Sequence, residues 1–317
     1  MSLGVLESTR PVVETARFVR IDRAAVETLA DRLAAGPFQC PAWRVAPHWW
    51  DDTERTAQYV FVLDALNFCF WGEPKWRVEY RGRSYDGYWA LAACLRRAIE
   101  AGAPLLEARF LAHIDEPRAA ELLRGEGQLL LLAERAAGLR QLGRVLVERY
   151  GGRAVDFVAA AGGSAVTLAR RVAEELPSFD DVAAYDGRAV RFYKRAQILC
   201  SDLYGAYEGC GPGAFYDLDK LTAFADYKLP QILRELGVLD YEPSLAERVD
   251  NLVELKAGSP QEVEIRAATI WAVERLRRAL LERGVGIKAF EIDWCLWDLA
   301  QRTPFRHPYH RTRTISY

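Results

Sequence analysis

The stretch SPQEVEIRAATIWAVERLRRALLERG, residues 259–284, carries a clear helix start and a clear helix stop. Ser259 and Glu262 have the spacing of a capping box, in which each side chain bonds a main-chain N–H of the other residue. Pro260 occupies the first helical position, where its missing N–H costs nothing. Gly284 ends the pattern, as glycine commonly does after a helix. The stretch therefore predicts one long helix and points to a mainly α-helical protein.

Further helical patterns extend outward from this segment. Asp86 precedes a helical pattern that stops at Gly102, and a longer one covers residues 129–150. Ser164 is placed to cap another helix, which ends before Pro177. No alternation of strands and helices of the βαβ kind appears, which argues against a nucleotide-binding parallel sheet.

Two short segments have the period-two alternation of β-strands. WRVEYRGRSY at residues 76–85 alternates around Arg81 and Gly82 and predicts a small hairpin. Asp186 and Gly187, followed by AVRFY, predict a second one. With no clear linker, repeat or low-complexity stretch, residues 1–317 are interpreted as one compact, mainly helical domain, in which the boundary of the first 40 residues is the least defined part.

Composition and charge argue against a protein that binds long nucleic acids. The chain has 317 residues, a net charge of −2 and a pI of about 6.2, so nothing attracts a long polyanion such as DNA or RNA. A local basic pocket for a single phosphate stays compatible with this balance. The nine tryptophans and fourteen tyrosines suit a core, or a pocket that stacks a flat ring.

Cysteine usage and hydropathy predict a cytoplasmic protein without a metal or a membrane anchor. The six cysteines include no C-x-x-C pair, and the four histidines add no H-x-x-x-H, so no zinc site is expected. We interpret the cysteines as free thiols in a reducing compartment. The N-terminus has no apolar run typical of a signal peptide, and the apolar residues 59–71 are too short and too polar for a membrane span.

The segment LTAFADYKLP, residues 221–230, places an acid among apolar and aromatic residues. Pro230 has no N–H with which to bond the Asp226 carbonyl, so we expect a helix break near Asp226 and a new helix from Pro230 that stops at Gly237. A carboxylate at such a break can face a cavity, where burial raises its basicity. Alternatively, Asp226 caps the following helix or pairs with Lys228.

A second candidate cluster is FEIDWCLWD at residues 290–298. On a helix, Trp294 and Asp298 lie one turn apart, and so do Asp293 and Trp297. Carboxylates interleaved with indoles suit a flat polar heterocycle, because the ring stacks while the acids accept its N–H groups. The alternative is an amphipathic helix with its tryptophans in the core and its acids at the rim.

Two further positions are candidates for ligand contact. In FYKRAQILCSD, residues 192–202, Lys194 and Arg195 open a helical run, where cations and free N–H groups can hold a phosphate. They are otherwise solvated charges at a helix start. His48 can donate to a ligand or serve as a structural histidine beside Trp49. Glu264 and Arg266 are equally compatible with a structural ion pair.

Taken in order, these segments resemble the queuosine salvage protein family, the queuosine 5′-phosphate N-glycosylases. The resemblance runs from about residue 40 to the C-terminus. It is carried by NFCFW (67–71), YDGYWAL (85–91), FYKRAQIL with Asp202, FADYKLPQ (224–231), EVEIR (262–266) and PYHRTRTISY (308–317). A series of matches in this order is far more specific than any one of them.

The resemblance implies an α-helical fold related to DNA glycosylases. It also implies hydrolysis of the base–ribose bond of queuosine 5′-phosphate, which releases queuine for tRNA modification without a cofactor. Asp226 is then the nucleophile or transition-state stabiliser. From the matching motifs, Phe224 is expected to line the base site, and Asp293, Trp294 and Asp298 are expected to contact the ligand. His48 falls in the least well-matched region and is carried over as a further ligand contact. The family tends to have tyrosine where this chain has Trp294, so a hydroxyl is lost there while stacking remains.

Lys194 and Arg195 are assigned to the 5′-phosphate on charge alone. The partners expected are this nucleotide and its product, and neither a nucleic acid nor a membrane.

Two other functions compete with this hydrolase. The fold relation and GVGIK at residues 284–288 suggest a nucleic-acid base-excision glycosylase, against which the net charge argues. A non-catalytic carrier of a modified nucleotide would bind the same ligand without cleaving it. A calcium-dependent nucleoside hydrolase would need an aspartate-rich motif near the N-terminus that this sequence lacks, so activity is expected to persist with a chelator.

Overall fold

A computed structural model of the chain describes residues 2–36 and 40–317. In that part of the chain, fourteen α-helices dominate and confirm the mainly helical class. They are α1 (Val5–Glu14), α2 (Arg23–Ala34), α3 (Glu54–Ala65), α4 (Gly87–Glu100), α5 (Ala108–Leu111), α6 (Glu116–Leu122), α7 (Leu132–Arg149), α8 (Ala154–Ala159), α9 (Ala165–Glu175), α10 (Lys194–Ala206), α11 (Lys228–Glu235), α12 (Pro243–Asp250), α13 (Pro260–Glu282) and α14 (Ala289–Arg302).

Six short strands form three two-stranded antiparallel sheets within the described ranges. They are β1 (Val19–Ile21), β2 (Arg77–Tyr80), β3 (Arg83–Asp86), β4 (Val182–Tyr185), β5 (Arg188–Arg191) and β6 (Leu239–Tyr241). The predicted hairpins are confirmed as β2–β3 and β4–β5. The β1–β6 pair joins the N-terminal region to the segment after α11, with Val19 opposite Tyr241. Strands so far apart in sequence leave no local signal.

The helix boundaries largely follow the predicted caps. The Ser164 hydroxyl accepts from the Thr167 N–H at 3.0 Å, and Gly284 ends α13 with φ 81°. The capping box of α13 is only half formed, because Glu262 accepts from the Gly258 N–H instead of the Ser259 N–H. Asp86 does precede α4, but its carboxylate pairs with Lys75 at 3.2 Å instead of capping the helix.

The prediction of a helix break at Asp226 is wrong in its details. Residues 221–226 have no regular structure, and α11 begins at Lys228, two residues before Pro230. Proline is tolerated in a first helical turn, because the N–H groups there have no partner within the helix. The predicted stop at Gly237 is confirmed by its φ of 74°.

Helix α13 lies between two hydrophobic clusters of the core. Its residues Val263 and Ala267 belong to a cluster built around α3, α7, α9 and α10. Ile265 and Ala272 belong to a second cluster with α2, α11 and α14. Residues 262–274 of α13 are buried without interruption, as expected for a central helix, and its last two turns are exposed on one side. It thereby connects the elements that carry the candidate site residues.

No helix in residues 2–36 or 40–317 combines the length and the apolar character needed to cross a bilayer.

Two glycines of α7 test how closely this helix packs on α5. A Cβ on Gly143 would lie 2.2 Å from the Ala112 nitrogen and 2.6 Å from the Ala108 oxygen, whereas one on Gly138 would be 3.5 Å from the Ala65 oxygen. We expect Gly143→Ala to lower the free energy of unfolding by about 2 kcal/mol through overpacking. Gly138→Ala should raise it by up to about 1 kcal/mol through helix propensity. Urea denaturation of both variants measures the difference, and equal stabilities would contradict the α5–α7 contact.

Candidate active site

A cavity of about 550 Å³ opens between the loop before α3, the start of α4, one face of α10, the segment before α11, and α14. This volume is in the range typical of small-molecule sites. It brings together Asp226, Phe224, Asp293, Trp294, Asp298, His48 and Lys194, which the sequence places in four separate segments. Among the predicted site residues, Arg195 does not line it.

Asp226 lies in the cavity wall at the N-terminus of α11. Its Oδ1 accepts from the main-chain N–H groups of Lys228 and Leu229, both at 2.8 Å. Burial raises the pKa of Asp226, while the ammonium of Lys194 and these two hydrogen bonds oppose the rise. The capping role considered from the sequence is therefore real, and the same carboxylate also faces the cavity.

Phe224 and Asp293 join the segment before α11 to helix α14. The Phe224 N–H donates to Asp293 Oδ2 at 2.7 Å, deep in the protein where Asp293 is 4% exposed. Burial raises the pKa of Asp293 well above its ordinary value, and the Asp226 charge adds to this rise. Asp293 thus holds in place the loop that carries Phe224 and Asp226.

Helix α14 contributes an aromatic wall and an acidic rim. Trp294 packs edge-to-face on Phe290, with ring centroids 5.4 Å apart. Trp297 contacts the rings of Tyr88 and Trp89 in the same geometry. Asp298 lies at the outer end, partly exposed and paired with Arg302. The wall suits a stacked aromatic ligand and the rim suits a cationic group.

His48 is buried in the cavity wall, where its ring packs on Tyr88 and Trp89. Its Nδ1 lies 2.6 Å from the Trp43 carbonyl oxygen and its Nε2 lies 2.7 Å from the Tyr88 hydroxyl. Since a carbonyl can only accept, Nδ1 carries the proton and Nε2 accepts from Tyr88. Burial lowers the pKa of His48 to about 4. It is therefore a neutral residue that orients Tyr88 and the loop 43–48.

Lys194 and Arg195 have different surroundings although both begin α10. Lys194 is buried in the cavity wall, and burial lowers its pKa against the attraction of Asp226. The Arg195 guanidinium instead donates to the main-chain carbonyls of Asp64 and Ala65, at 3.0 and 3.1 Å, and to that of Ser178. Both terminal nitrogens of Arg195 thus bond main-chain carbonyls, and Lys194 alone of the pair faces the cavity.

A model of the queuosine salvage protein family matches residues 47–317. The chain belongs to this family. A Sphaerobacter thermophilus protein is 57% identical over 99% of this chain and 98% of its own length. A Mus musculus protein is 38% identical over 99% of each chain, and a Schizosaccharomyces pombe protein is 34% identical over 78% of this chain and 75% of its own. All three are named queuosine 5′-phosphate N-glycosylase/hydrolase.

In this member of the queuosine salvage family, Arg266 of the EVEIR motif is structural. It donates to both oxygens of Asp181 at 2.5 and 2.9 Å, and its Nε donates to the Ala225 carbonyl at 3.2 Å. Asp181 in turn accepts from the Lys194 N–H at 3.1 Å. Glu264 accepts from three main-chain N–H groups of residues 17–19 and from Tyr185, so it forms no pair with Arg266.

Several cavity residues were not assigned to the site from the sequence: Trp43, Tyr88, Trp89, Asp202, Lys228 and Tyr317. Helical spacing was the available signal for one of them. Lys194, Ile198 and Asp202 follow each other at four-residue intervals and share the face of α10 that lines the cavity. Trp43 and Tyr317 come from distant loops and the C-terminus, where no pattern in the sequence relates them to Asp226.

The buried pair of Arg266 and Asp181 predicts a stability difference. Arg266→Met leaves the Asp181 charge buried without its partner, so we expect the free energy of unfolding to fall by about 3–5 kcal/mol. Arg20 pairs with Asp240 on the surface, with the two side chains 78% and 56% exposed. Arg20→Met should therefore change stability by less than about 1 kcal/mol. Chemical denaturation compares the two variants, and a loss of similar size in both would refute the structural role of Arg266.

His48 predicts a pH dependence of stability. The pKa of this imidazole is about 6.5 in the unfolded chain and about 4 in the folded chain. The unfolded state takes up the proton first, so the His48 contribution is complete above about pH 6.5 and decreases as the pH falls toward 4. His48→Gln should remove about 2–3 kcal/mol of the stability lost between neutral pH and about pH 4.5. Denaturation of both proteins across this range measures it, and parallel curves would contradict a buried neutral His48.

Proposed function

We propose that this chain hydrolyses the N-glycosidic bond of queuosine 5′-phosphate and releases queuine for salvage. Support comes from its membership of the family and from the full-length relatives named for this activity. The observation that carries the proposal is Asp226 in the wall of a cavity that aromatic and acidic residues line. Such a site suits a small nucleotide better than a nucleic acid, and the net charge of −2 agrees.

Asp226 is proposed to act on the ribose. Breaking a glycosidic bond builds positive charge on the sugar, and a fixed carboxylate beneath it stabilises that charge. The two N–H groups at the start of α11 hold Asp226 Oδ1 in a constant position. No reorganisation of the carboxylate is then needed as the charge develops, which is the condition under which electrostatic stabilisation is most effective.

The base is proposed to stack between Phe224 and the indole of Trp294. Queuine is a 7-deazapurine, so the N7 atom that purine glycosidases protonate is absent. Polar groups around the ring have to bind the base by other atoms, and Asp293 lines the cavity for this purpose. His48 contributes through Tyr88, whose hydroxyl it holds. Asp298 at the rim is placed to pair with the amine of the cyclopentenediol substituent.

The 5′-phosphate is proposed to contact a lysine of the cavity wall. Lys194 stays a candidate, but its ammonium is close to the carboxylates of Asp226, Asp64 and Asp293. Lys228 also lines the cavity, with its Nζ 2.9 Å from Gln231 Oε1 and 4.6 Å from the Phe305 ring centroid. Because fewer acids surround it, Lys228 is the more favourable phosphate partner.

Asp226→Asn tests the central role. Asparagine keeps the Oδ1 acceptor that caps α11, so we expect an intact fold, with turnover reduced about a thousandfold or more because the charge is lost. Purified protein is mixed with queuosine 5′-phosphate, and free queuine is followed by chromatography. Asp22→Asn is the matched control, because Asp22 caps α2 through the Ala25 N–H outside the cavity and should keep full activity.

The outcomes separate the proposed activity from its rivals. Unchanged queuine release by a folded Asp226→Asn variant would falsify the assigned role. Tight binding of the nucleotide by the wild type without release of queuine identifies a carrier. Steeply salt-dependent binding to duplex DNA identifies a nucleic-acid glycosylase.

Paired lysine variants test the phosphate contact. Lys228→Met should lower kcat/KM for queuosine 5′-phosphate by about ten- to a hundredfold and leave that for queuosine nearly unchanged, since only one substrate has the phosphate. Lys194→Met should lower both values together, because the ammonium balances the catalytic carboxylates. If instead Lys194→Met alone removes the preference for the phosphorylated substrate, the phosphate lies next to Lys194.

A further inference from the structure

Four carboxyl groups interact electrostatically with the ammonium group of Lys194 in the cavity wall. Lys194 interacts electrostatically with Asp226, Asp64 and Asp293, and also with Asp202. Lys228 also interacts with Asp226, and Arg195 with Asp64, so four ionised acids would face three cations and leave one negative charge uncompensated. Like charges in a poorly solvated region repel each other, so at least one of the acids retains its proton.

Hydrogen bonding decides which acids remain ionised. Asp226 accepts two main-chain N–H bonds, which favour its charged form. Asp293 accepts only one, and burial raises its pKa well above the ordinary value. Oδ2 of Asp64 and Oδ2 of Asp202 are each buried without a hydrogen-bond partner among the described residues. A carboxylate oxygen in that position lacks both water and a donor, which favours the protonated acid.

Of these two acids, only Asp202 lines the cavity. It lies on α10 two turns after Lys194, it is 4% exposed, and the side chains of Trp43 and Tyr88 are its polar neighbours. Gly205, one turn further along α10, lets the indole of Trp294 approach to 3.1 Å from the position of a Cβ. Asp202 is therefore placed beside the aromatic wall against which the base is proposed to stack.

We propose that Asp202 is the general acid that protonates the departing base while Asp226 acts on the ribose. This inference rests on the proposed hydrolase activity and deepens it. A pair of carboxyl groups in one site, one held ionised by donors and one held neutral by its surroundings, is the arrangement that glycoside hydrolysis requires. The deazapurine makes such an acid more important, because the ring lacks the nitrogen at which purine leaving groups are protonated.

Hydrolysis of the glycosidic bond balances in atoms and protons with water as the co-reactant. The bond between C1′ and the base nitrogen breaks, its electron pair goes to the base, and the base takes the proton of Asp202. A water oxygen forms the new bond to C1′ and gives one proton to the Asp226 carboxylate. The products are queuine and ribose 5-phosphate, and transfer of the proton from Asp226 to Asp202 through solvent restores the enzyme.

The titration of Asp202 gives the reaction a predicted pH profile. Burial raises its pKa to about 7, with the neighbouring Trp43 side chain and Lys194 opposing the rise. As the pH increases through about 7 the acid is lost, so kcat should decrease on the alkaline side. The titratable groups that face Asp202 from the surrounding helices are Tyr59 and Asp64 on α3, Tyr88 on α4, Lys194 on α10 and Asp293 on α14.

Asp202→Asn is the test, because asparagine keeps the shape and the neutral charge but has no acidic proton. With queuosine 5′-phosphate, kcat should fall about a hundredfold or more, KM should change little, and the alkaline limb near pH 7 should disappear. With para-nitrophenyl ribofuranoside 5-phosphate, whose leaving group departs as a stable anion, the variant should keep a rate within about threefold of wild type. Asp226→Asn should lose activity on both substrates.

Two matched variants complete the experiment. Asp64→Asn removes the neighbouring buried acid that does not line the cavity, and should affect the two substrates equally. Asp293→Asn should mainly raise KM. If the dependence on the leaving group appears in Asp293→Asn instead, or if Asp202→Asn keeps the wild-type rate and pH profile, the inference is wrong.

Different results would contradict the hydrolase activity and the role of Asp202 as general acid. A wild-type protein that releases no queuine removes the hydrolase itself, whereas an active wild type with an equally active Asp202→Asn variant removes only the role of Asp202.

Discussion

The guanidinium of Arg266 is the constraint on which the site depends. It projects from the central helix α13 and is held between the rings of Phe192 and Tyr317, 3.9 and 4.5 Å from their centroids. Through Asp181 it fixes the start of α10, and through the Ala225 carbonyl it fixes the loop that ends in Asp226. One buried cation therefore sets the distance between the two cavity walls that carry Lys194 and Asp226. A planar group with several donors is suited to this task, because it can bond a carboxylate and a carbonyl at once.

The charged groups inside the cavity have fewer partners than those in the structural contacts around Arg266. Arg266 and Arg195 have structural roles. Their guanidinium groups donate to carboxylate or carbonyl oxygens outside the cavity. Inside it, Lys194 is left with an excess of acids, and each acid differs in the number of donors that reach it. Differences in hydrogen bonding separate the protonation states of chemically identical side chains. Asp226 and Asp202 are in this way suited to different tasks, although both are aspartates in the same cavity.

The aromatic residues of α14 both pack in the core and line the cavity. Trp294 and Trp297 lie on α14 at positions that also satisfy the spacing of an ordinary core helix, and both line the cavity. His48 orients Tyr88, which packs on Trp297. Sequence reasoning left the core and ligand interpretations of this helix open. The structure combines them, since the indoles close one side of the cavity by packing on their neighbours.

The sequence by itself determined the local elements: the mainly helical class, the two hairpins, the caps at Ser164 and Ser259, and the stops at Gly237 and Gly284. These depend on contacts within a few residues, so their signals lie in the adjacent sequence. The family motifs also selected Asp226 as the catalytic candidate, and the structure places it in the cavity wall. Its helix break was placed wrongly, because proline tolerance in a first turn depends on where the helix starts.

Only the tertiary structure decided that Arg195 turns to main-chain carbonyls while Lys194 faces the cavity, and that Asp202 and Trp43 join the site. The direction of a buried polar side chain is set by the partners available to it in three dimensions, and those partners come from residues far away in sequence.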